Sequence, residues 1–155
     1  ALEVSMAIIL AAITRSFLIA IISIVVFSLI VEIHIYNIFY IFIFGFLSAF
    51  ILGSLGFITG LWAEKFDHTA TVTNFIITPL SFLSGVFYSI DKLPKLFQTI
   101  SHINPFFYMI DGFRYGFLGK SDGSISTGIL YLIILSFVMW FIAFYLYKKG
   151  YKIKS

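Results

Sequence analysis

The sequence contains no cysteine and little charge. None of its 155 residues is Cys, and only 11% of them are Asp, Glu, Lys or Arg. The lack of cysteine excludes disulfide bonds, thiolate nucleophiles and thiolate-ligated metal sites among these residues. Hydrophobic residues make up 61% of the chain, aromatic residues make up 20%, and the mean hydropathy is +1.06. A soluble domain of this length has too small an interior for so much apolar surface, so the composition indicates a membrane protein.

Four long apolar stretches run along the chain, and each is close to the roughly 20 residues that a helix needs to cross a bilayer. We therefore predict an all-α fold, a polytopic transmembrane helical bundle that takes in residues 1–155. The predicted crossings are 16–31, 38–61, 69–88 and 125–147. Residues 2–14 are interpreted as an interfacial lead-in, after which Arg15 reaches the cytoplasmic headgroups. The alternative for Arg15 is a charge buried in a transport path.

The positive charges predict the orientation. The net charge of +3 would suit a nucleic-acid partner in a soluble protein, but these cations flank apolar segments, so no nucleic acid is expected. Four crossings place both ends on one side, and a lysine cluster at 148–154 follows directly on the last crossing. We predict a protein of the inner (plasma) membrane with both ends cytoplasmic. The predicted inside cations are Arg15, Lys65, Lys148, Lys149, Lys152 and Lys154, and the outside ones are Lys92, Lys95, Arg114 and Lys120.

Small residues form a stripe along the second crossing. At 100° per residue they share one arc of a helix, about 80° wide, which lets another backbone approach closely. We expect the stripe to pack against a helix of the same chain; the alternative is a seam between subunits. The stripe consists of Gly45, Ala49, Gly53, Gly56 and Gly60.

Polar residues form a second stripe, along the third crossing. Thr71, Asn74, Thr78 and Ser81 share one face, and Gly85 continues it. Polar side chains in lipid require a face that meets protein or water. The stripe is therefore either one wall of a transport path or a set of hydrogen bonds between helices, and both interpretations stay open. Pro79 lies in the same crossing, where it frees a backbone carbonyl and predicts a kink.

Residues 91–119 form a link with two amphipathic halves, neither long enough to span. Asp91 is the predicted N-cap of the first half, and Pro94 is tolerated in its first turn. Asn104 and Pro105 separate the halves. Asp111 and Arg114 lie three residues apart in the second half, close enough to pair on a helix. We predict two short helices that form an external re-entrant hairpin.

The segment 79–119 carries a set of ordered landmarks. They are the run Pro79-Leu-Ser-Phe-Leu-Ser-Gly-Val-Phe-Tyr88, Leu93-Pro94, Asn104-Pro105, Tyr108, Asp111, Phe113-Arg114-Tyr115-Gly116 and Gly119. In this order and spacing they closely resemble the signature of type-2 ABC transporter permeases, the membrane subunits of ABC exporters for polysaccharides, drugs and lipid-linked cargo. The likeness covers the whole chain in segment order and is most specific over residues 79–119.

The resemblance implies a fold, partners and a mechanism. The family's membrane domain has six helices, so this chain corresponds to helices three to six, the C-terminal part. Two permease chains, expected to be a homodimer within membrane lipid, each dock to an ATP-binding cassette subunit. ATP and magnesium are expected on that subunit, with no cofactor or metal in this chain. Cargo passes outward, with Thr71, Asn74, Thr78 and Ser81 as candidate path residues and Asp111 and Arg114 setting the hairpin's geometry.

Two other classes of function fit the sequence less well. A membrane enzyme is not expected, because the three histidines fall in separate segments without metal-ligand spacing and no carboxylate pair lies within a crossing. No Gly-x-x-x-x-Gly-Lys phosphate loop is present either. An ion-coupled carrier or channel subunit without an ATPase partner is the alternative. Such proteins hold ionisable residues at mid-membrane, and the predicted crossings contain none.

Overall fold

The structure of the chain, a computed structural model, describes residues 2–63 and 66–150. Three of the cations used to predict the orientation, Lys65, Lys152 and Lys154, lie outside the described residues. The first half of the hairpin begins at Lys95 with Pro94 in the capping position, so the prediction that Asp91 is its N-cap is wrong. The Asp91 side chain itself lies outside what the structure describes.

The described residues form helices and no strand, which confirms the all-α prediction. Asn37 caps the second helix, because its Oδ1 accepts a hydrogen bond from the Phe39 N–H at 2.9 Å. In chain order the elements are α1 (Leu2–Ser28), α2 (Ile38–Trp62), α3 (Phe66–Val72), a π-helical turn (Thr73–Ile77), α4 (Thr78–Phe82), a 3-10 turn (Ile90–Lys92), α5 (Lys95–Ile103), α6 (Pro105–Leu118) and α7 (Ile125–Lys148).

Three of the described helices, α1, α2 and α7, are long and apolar enough to cross a membrane. The chain is therefore a multi-pass helical membrane protein. The first of these helices differs from its prediction, because α1 is continuous from Leu2 and does not begin at residue 16. The Thr14 hydroxyl donates to the Leu10 carbonyl at 2.9 Å, and the Ser16 hydroxyl donates to the Ala12 carbonyl at 2.9 Å. These polar residues are satisfied inside the helix and do not interrupt it, so residues 2–14 belong to the same helix as the first predicted crossing. Their place at the membrane interface stays a prediction.

The third apolar stretch is shorter than its predicted crossing of 69–88. It is helical from Phe66 to Phe82, in three consecutive pieces with a π-helical turn in the middle. Thr78 explains that turn, since its N–H and its hydroxyl both reach back five residues to the Thr73 carbonyl. The helix ends before Gly85, whose φ of +79° lies in the left-handed region that favours glycine.

The core lies around α2, which packs against α1, α6 and α7. One buried cluster joins α2 to α6 and α7 through Phe44, Leu47, Ile51, Met109 and Leu132. A second buried cluster joins α1 to α2 through Ile9, Ile13 and Ala49. Because α2 takes part in both clusters, it is the central helix of the bundle.

The two ends of the bundle carry different features. At one end, the Asn37 N–H at the start of α2 donates to the Gly116 carbonyl at 2.9 Å, which joins the α1–α2 turn to α6. At the other end, the rings of Phe57 and Tyr147 lie 5.8 Å apart, beside Lys148 at the end of α7. The hairpin formed by α5 and α6 therefore lies at the opposite end of the bundle from Lys148.

Candidate functional site: the hairpin and the surface of α2

Asn104 joins the hairpin to the end of the third helix. Its side chain is almost completely buried at the break between α5 and α6. Oδ1 accepts a hydrogen bond from the Phe106 N–H at 3.0 Å, so Asn104 caps α6. Nδ2 donates to the Leu80 carbonyl in α4 at 2.6 Å. One side chain thus satisfies a backbone donor at the start of α6 and a backbone acceptor in α4.

Ser101 adds a second attachment at the same place. It is fully buried in α5, and its hydroxyl donates to the Leu83 carbonyl at 2.9 Å. Leu83 is the C-cap of α4, at the end of the helix where backbone carbonyls lack helical partners. The predicted break at Asn104 and Pro105 is present, and its buried polar side chains bind the hairpin to α4.

Asp111 holds the turn that precedes α7. Its carboxylate is buried and accepts three hydrogen bonds. Oδ1 accepts from the Asp122 N–H at 2.8 Å and from Arg114 at 2.7 Å, and Oδ2 accepts from the Gly123 N–H at 2.9 Å. Asp111 therefore fixes the backbone just before Ser124, the N-cap of α7.

Arg114 pairs with two carboxylates. Its terminal nitrogen lies 2.7 Å from Asp111, as the three-residue spacing predicted, and 3.2 Å from Asp122. The Asp122 carboxylate also accepts a hydrogen bond from the Ile90 N–H at 3.2 Å. The network thus joins the segment after α4, the helix α6 and the start of α7. Sequence reasoning missed Asp122, because its contacts depend on how the link folds back and not on local spacing.

A close contact between α6 and α2 uses two glycines of α6 that were not predicted from the sequence. A Cβ on Gly112 would lie 2.2 Å from the ring of Phe44, and a Cβ on Gly116 would lie 2.4 Å from the side chain of Ile41. Both distances are far below van der Waals contact, so only glycine allows α6 to approach α2 this closely. Gly112 and Gly116 stand four residues apart, and this small-xxx-small spacing was the signal that could have found them.

The predicted glycine stripe on α2 divides into two parts. Ala49 is buried against α1, a Cβ on Gly53 would lie 3.0 Å from the Cβ of Ala12, and a Cβ on Gly45 would lie 3.7 Å from Phe113. These three residues pack within the chain. Gly56 and Gly60 have no such packing partner, because a Cβ at either position would meet no described atom within 4 Å beyond the backbone of its own helix.

The polar stripe of the third helix lies on exposed or half-exposed positions. The hydroxyls of Thr71, Thr78 and Ser81 donate to carbonyls of their own helix at 2.8–2.9 Å. Asn74 is exposed within the π-helical turn. The structure does not bring these four side chains together with the hairpin network, and their role in a path stays a prediction. Pro94, the remaining hairpin candidate, directly precedes α5.

Two grooves run along the exposed side of α2 and share Leu52. The first, with a volume of about 490 Å³, lies between α2, α6 and the turn at Gly85, and Arg114 lines it. The second, of about 880 Å³, lies between α1 and α2, and Arg15 is its charged residue.

Among the described residues, no group of three His, Asp or Glu side chains is placed to hold a metal ion.

Comparisons with known proteins place these features in a family. The family model described as ABC-2 type transporter matches residues 1–118, from the start of the chain to the end of α6. The inner membrane transport permease YadH of Escherichia coli (strain K12) is 39% identical over 109 residues, which are 70% of this chain and 43% of that protein.

More distant relatives match somewhat less of the chain. Nodulation protein J of Rhizobium leguminosarum bv. viciae is 30% identical over 96 residues, which are 62% of this chain and 37% of that protein. Nodulation protein J of Sinorhizobium fredii (strain NBRC 101917 / NGR234) is 29% identical over 97 residues, 63% of this chain and 37% of that protein. The matched part of the chain thus spans less than half the length of these curated relatives. No solved structure matches the chain.

Proposed function

This chain belongs to the ABC-2 type transporter family, and from that premise we propose that it is part of a permease, the membrane-spanning subunit of an ATP-driven ABC exporter. The observation that carries the proposal is the family match over residues 1–118, which includes α1, α2, the broken third helix and the hairpin. The Escherichia coli relative, named an inner membrane transport permease, supports a multi-pass location in the inner membrane. On this proposal the chain is a transport subunit and not an enzyme.

ATP and magnesium belong on a separate subunit in this proposal. The sequence has no Gly-x-x-x-x-Gly-Lys loop to cradle phosphates, so the chain needs an ATP-binding cassette partner to use ATP. That partner would dock at the end of the bundle that carries Lys148, with both ends of the chain cytoplasmic. The position of the hairpin at the opposite end supports this orientation.

The cargo we propose is lipid-linked, a polysaccharide or a hydrophobic drug-like molecule that moves outward past the third helix. Thr71, Asn74, Thr78 and Ser81 are the proposed path residues. Their support is the exposure of this helix, which packs lightly against the rest of the described chain and leaves a face for a second permease copy. The π-helical turn at Asn74 supports a site there, because such turns are frequent at functional positions.

An ion-coupled carrier is the second candidate, and one observation favours it. Arg15 stands at the middle of α1, a helix long enough to span the membrane, and charged residues in such positions are frequent in ion-coupled carriers. The sequence placed Arg15 at the interface by prediction and left a buried charge in a transport path as the alternative. The carrier remains second because the family match favours the ATP-driven class.

Reconstitution of the complete protein tests the two candidates against each other. The complete protein is placed in proteoliposomes with and without the ATP-binding cassette protein that co-purifies with it. We expect cargo movement only with that protein, ATP and magnesium, and none after its Walker lysine is replaced. Transport that needs no ATPase but stops when the ion gradient is collapsed would establish the carrier instead.

A further inference from the structure

Residues 78–104 form one body, which we call the flap. It contains α4, the 3-10 turn and α5, and it ends at the break before α6. Two buried side chains at the end of α5 bind it to α4: Asn104 donates to the Leu80 carbonyl at 2.6 Å, and Ser101 donates to the Leu83 carbonyl at 2.9 Å. Because buried hydrogen bonds are costly to break, α4 and α5 keep a fixed position relative to each other.

The helices α2 and α6 and the start of α7 form a second body, which we call the frame. A Cβ on Gly112 would lie 2.2 Å from the ring of Phe44, so α6 lies directly against α2. The Asp111 carboxylate accepts hydrogen bonds from two backbone N–H groups of the turn before α7, which joins that turn to α6. Within the described chain, α4 and α5 pack against α6 and not against α2 or α7.

Polar contacts join the flap to the frame at the two ends of α5. At the end of α5, the Asn104 side chain caps α6, and the Tyr131 hydroxyl of α7 donates to the Ile103 carbonyl at 2.8 Å. The chain itself passes from flap to frame at this place, which makes it a pivot. Before the start of α5, the Asp122 carboxylate accepts a hydrogen bond from the Ile90 N–H at 3.2 Å. Asp122 thus binds the flap at the end of α5 that lies away from the pivot.

Arg114 has an unused donor beside this contact. One terminal nitrogen of Arg114 serves both Asp111 and Asp122, whereas its buried Nε has no hydrogen-bond partner among the described residues. A carboxylate offers about four acceptor sites, and Asp111 uses three of them. Arginine and carboxylate prefer a fork of two parallel hydrogen bonds. If the guanidinium turned to make that fork with Asp111, its Nε would be satisfied and Asp122 would lose its cation.

These contacts describe two arrangements of one network. We propose that the flap pivots at the break before α6 and that Asp122 is its latch. The latch is closed in this structure, where Arg114 orients the Asp122 carboxylate that binds Ile90. It opens when Arg114 pairs with Asp111 through both nitrogens. One charge-assisted hydrogen bond replaces another in this change, so the two arrangements differ little in free energy. The inference concerns motion within the chain and does not depend on the transported cargo or on ATP.

Four variants separate the parts of the latch. Asp122→Ala removes the contacts with Ile90 and Arg114 but keeps the backbone N–H that Asp111 binds, so the frame stays intact. Asp122→Asn keeps an oxygen for Ile90 and loses the charge. Arg114→Lys keeps a positive charge beside both carboxylates but has no second nitrogen for the fork. Glu32→Ala is the matched control, because it removes an exposed carboxylate from the α1–α2 turn at the same end of the bundle.

The measurement is the distance between two spin labels, by electron paramagnetic resonance, in the complete protein. One pair spans flap and frame, at Thr99→Cys in α5 and Lys120→Cys in the turn after α6. A second pair lies within the flap, at Thr99→Cys and Phe82→Cys. All three positions are exposed. Labelled chains are diluted with unlabelled ones, so that each distance is read within one chain.

We expect Asp122→Ala to raise the fraction of molecules with a longer distance between flap and frame roughly tenfold or more, the usual effect of losing a hydrogen bond to a charged group. Asp122→Asn should raise it less. Arg114→Lys and Glu32→Ala should leave it at or below the parent's level. The distance within the flap should be the same in every variant.

Three outcomes would overturn the proposal. An unchanged distance between flap and frame in Asp122→Ala would show that Asp122 is not a latch. A distance within the flap that broadens as much would show that this segment unfolds and does not pivot. Opening in Arg114→Lys as large as in Asp122→Ala would show that the guanidinium fork is not the means of release. If Asp122→Ala does not fold, Asp122→Asn decides in its place, since the proposal requires it to open the flap measurably.

Discussion

The backbone N–H of Asp122 donates a 2.8 Å hydrogen bond to the buried carboxylate of Asp111. This contact joins α6 to the turn before α7, and the Gly123 N–H adds a second bond to the same carboxylate at 2.9 Å. Asp111 therefore has two roles. Its negative charge pairs with Arg114. Its two oxygens also accept hydrogen bonds from backbone N–H groups of the turn, which a cationic side chain cannot do.

Replacing Asp111 by Asn should destabilise the protein. An amide has one acceptor oxygen and an NH₂ group, so it would turn a donor toward one of the two backbone N–H groups and leave Arg114 with one carboxylate. Breaking a buried, hydrogen-bonded ion pair costs about 3–5 kcal/mol. We expect a lower melting temperature in detergent by scanning fluorimetry. Asp67→Asn, at an exposed position, is the control and should melt as the parent does. Equal melting of both variants would contradict the role given to Asp111.

Replacing Arg114 by Ala should lower transport while the protein still reaches the membrane. The change leaves Asp111 and Asp122 close together without their shared cation, which should loosen the link between α6 and α7. The exchanged pair, Asp111→Arg with Arg114→Asp, should not restore transport, because Arg at position 111 cannot accept the two backbone hydrogen bonds. Transport assays at matched membrane abundance measure this. Recovery in the exchanged pair would mean that the charges alone matter.

The glycines of α6 and α2 should respond oppositely to alanine. Gly112→Ala and Gly116→Ala place a methyl group about 2 Å from Phe44 or Ile41, so α6 must move away from α2, at a cost of about 1–3 kcal/mol each. Gly60→Ala meets no described neighbour and replaces a flexible helical residue with a better helix former. Melting temperatures of the three variants check this. A Gly60→Ala variant as unstable as Gly112→Ala would show that position 60 is covered in the complete protein.

Local chemistry decided which parts of the structure could be predicted from the sequence. The apolar stretches predicted α2 and α7 to within one residue at each end, because length and hydropathy act within one segment. The Asp111–Arg114 pair and the break at Asn104 were predictable for the same reason, since helix spacing and proline act locally. The partners of these residues were not predictable, because Leu80 and Asp122 reach them only through the folded link.

The continuity of α1 through Arg15 has a physical cause as well. Thr14, Arg15 and Ser16 form a polar group in an apolar run, which resembles the boundary of a crossing. The two hydroxyls bond back to the helix, so only the guanidinium is left to be satisfied from outside.

The glycine stripe of α2 shows a similar limit of prediction from sequence. Spacing predicts that small residues share a face, but not which of them meet a neighbour.

Single cysteines should place the two ends of the bundle on opposite sides of the membrane. The chain has no native cysteine, so Lys95→Cys in the hairpin and Lys149→Cys after α7 report without interference from this sequence. We expect an impermeant maleimide to label position 95 in intact cells and position 149 only after lysis. The reverse pattern would invert the proposed orientation. Labelling of both from outside would contradict the placement of these residues at opposite ends of the bundle.

Asn104 allows its two bonds to be tested separately. Asn104→Ser keeps an oxygen for the Phe106 N–H, so a cap of α6 remains, but its side chain is too short to donate to the Leu80 carbonyl. Asn104→Ala removes both bonds and leaves a buried donor and a buried acceptor unpaired. We expect Ala to lower stability by about 2–4 kcal/mol and Ser by about half as much, from the usual cost of unpaired buried groups and lost caps. Thr99→Ala is the control, because its exposed hydroxyl bonds only within α5. If Ser is as damaging as Ala, the bond to Leu80 accounts for the whole effect, and the hairpin depends on its attachment to α4 more than on the cap of α6.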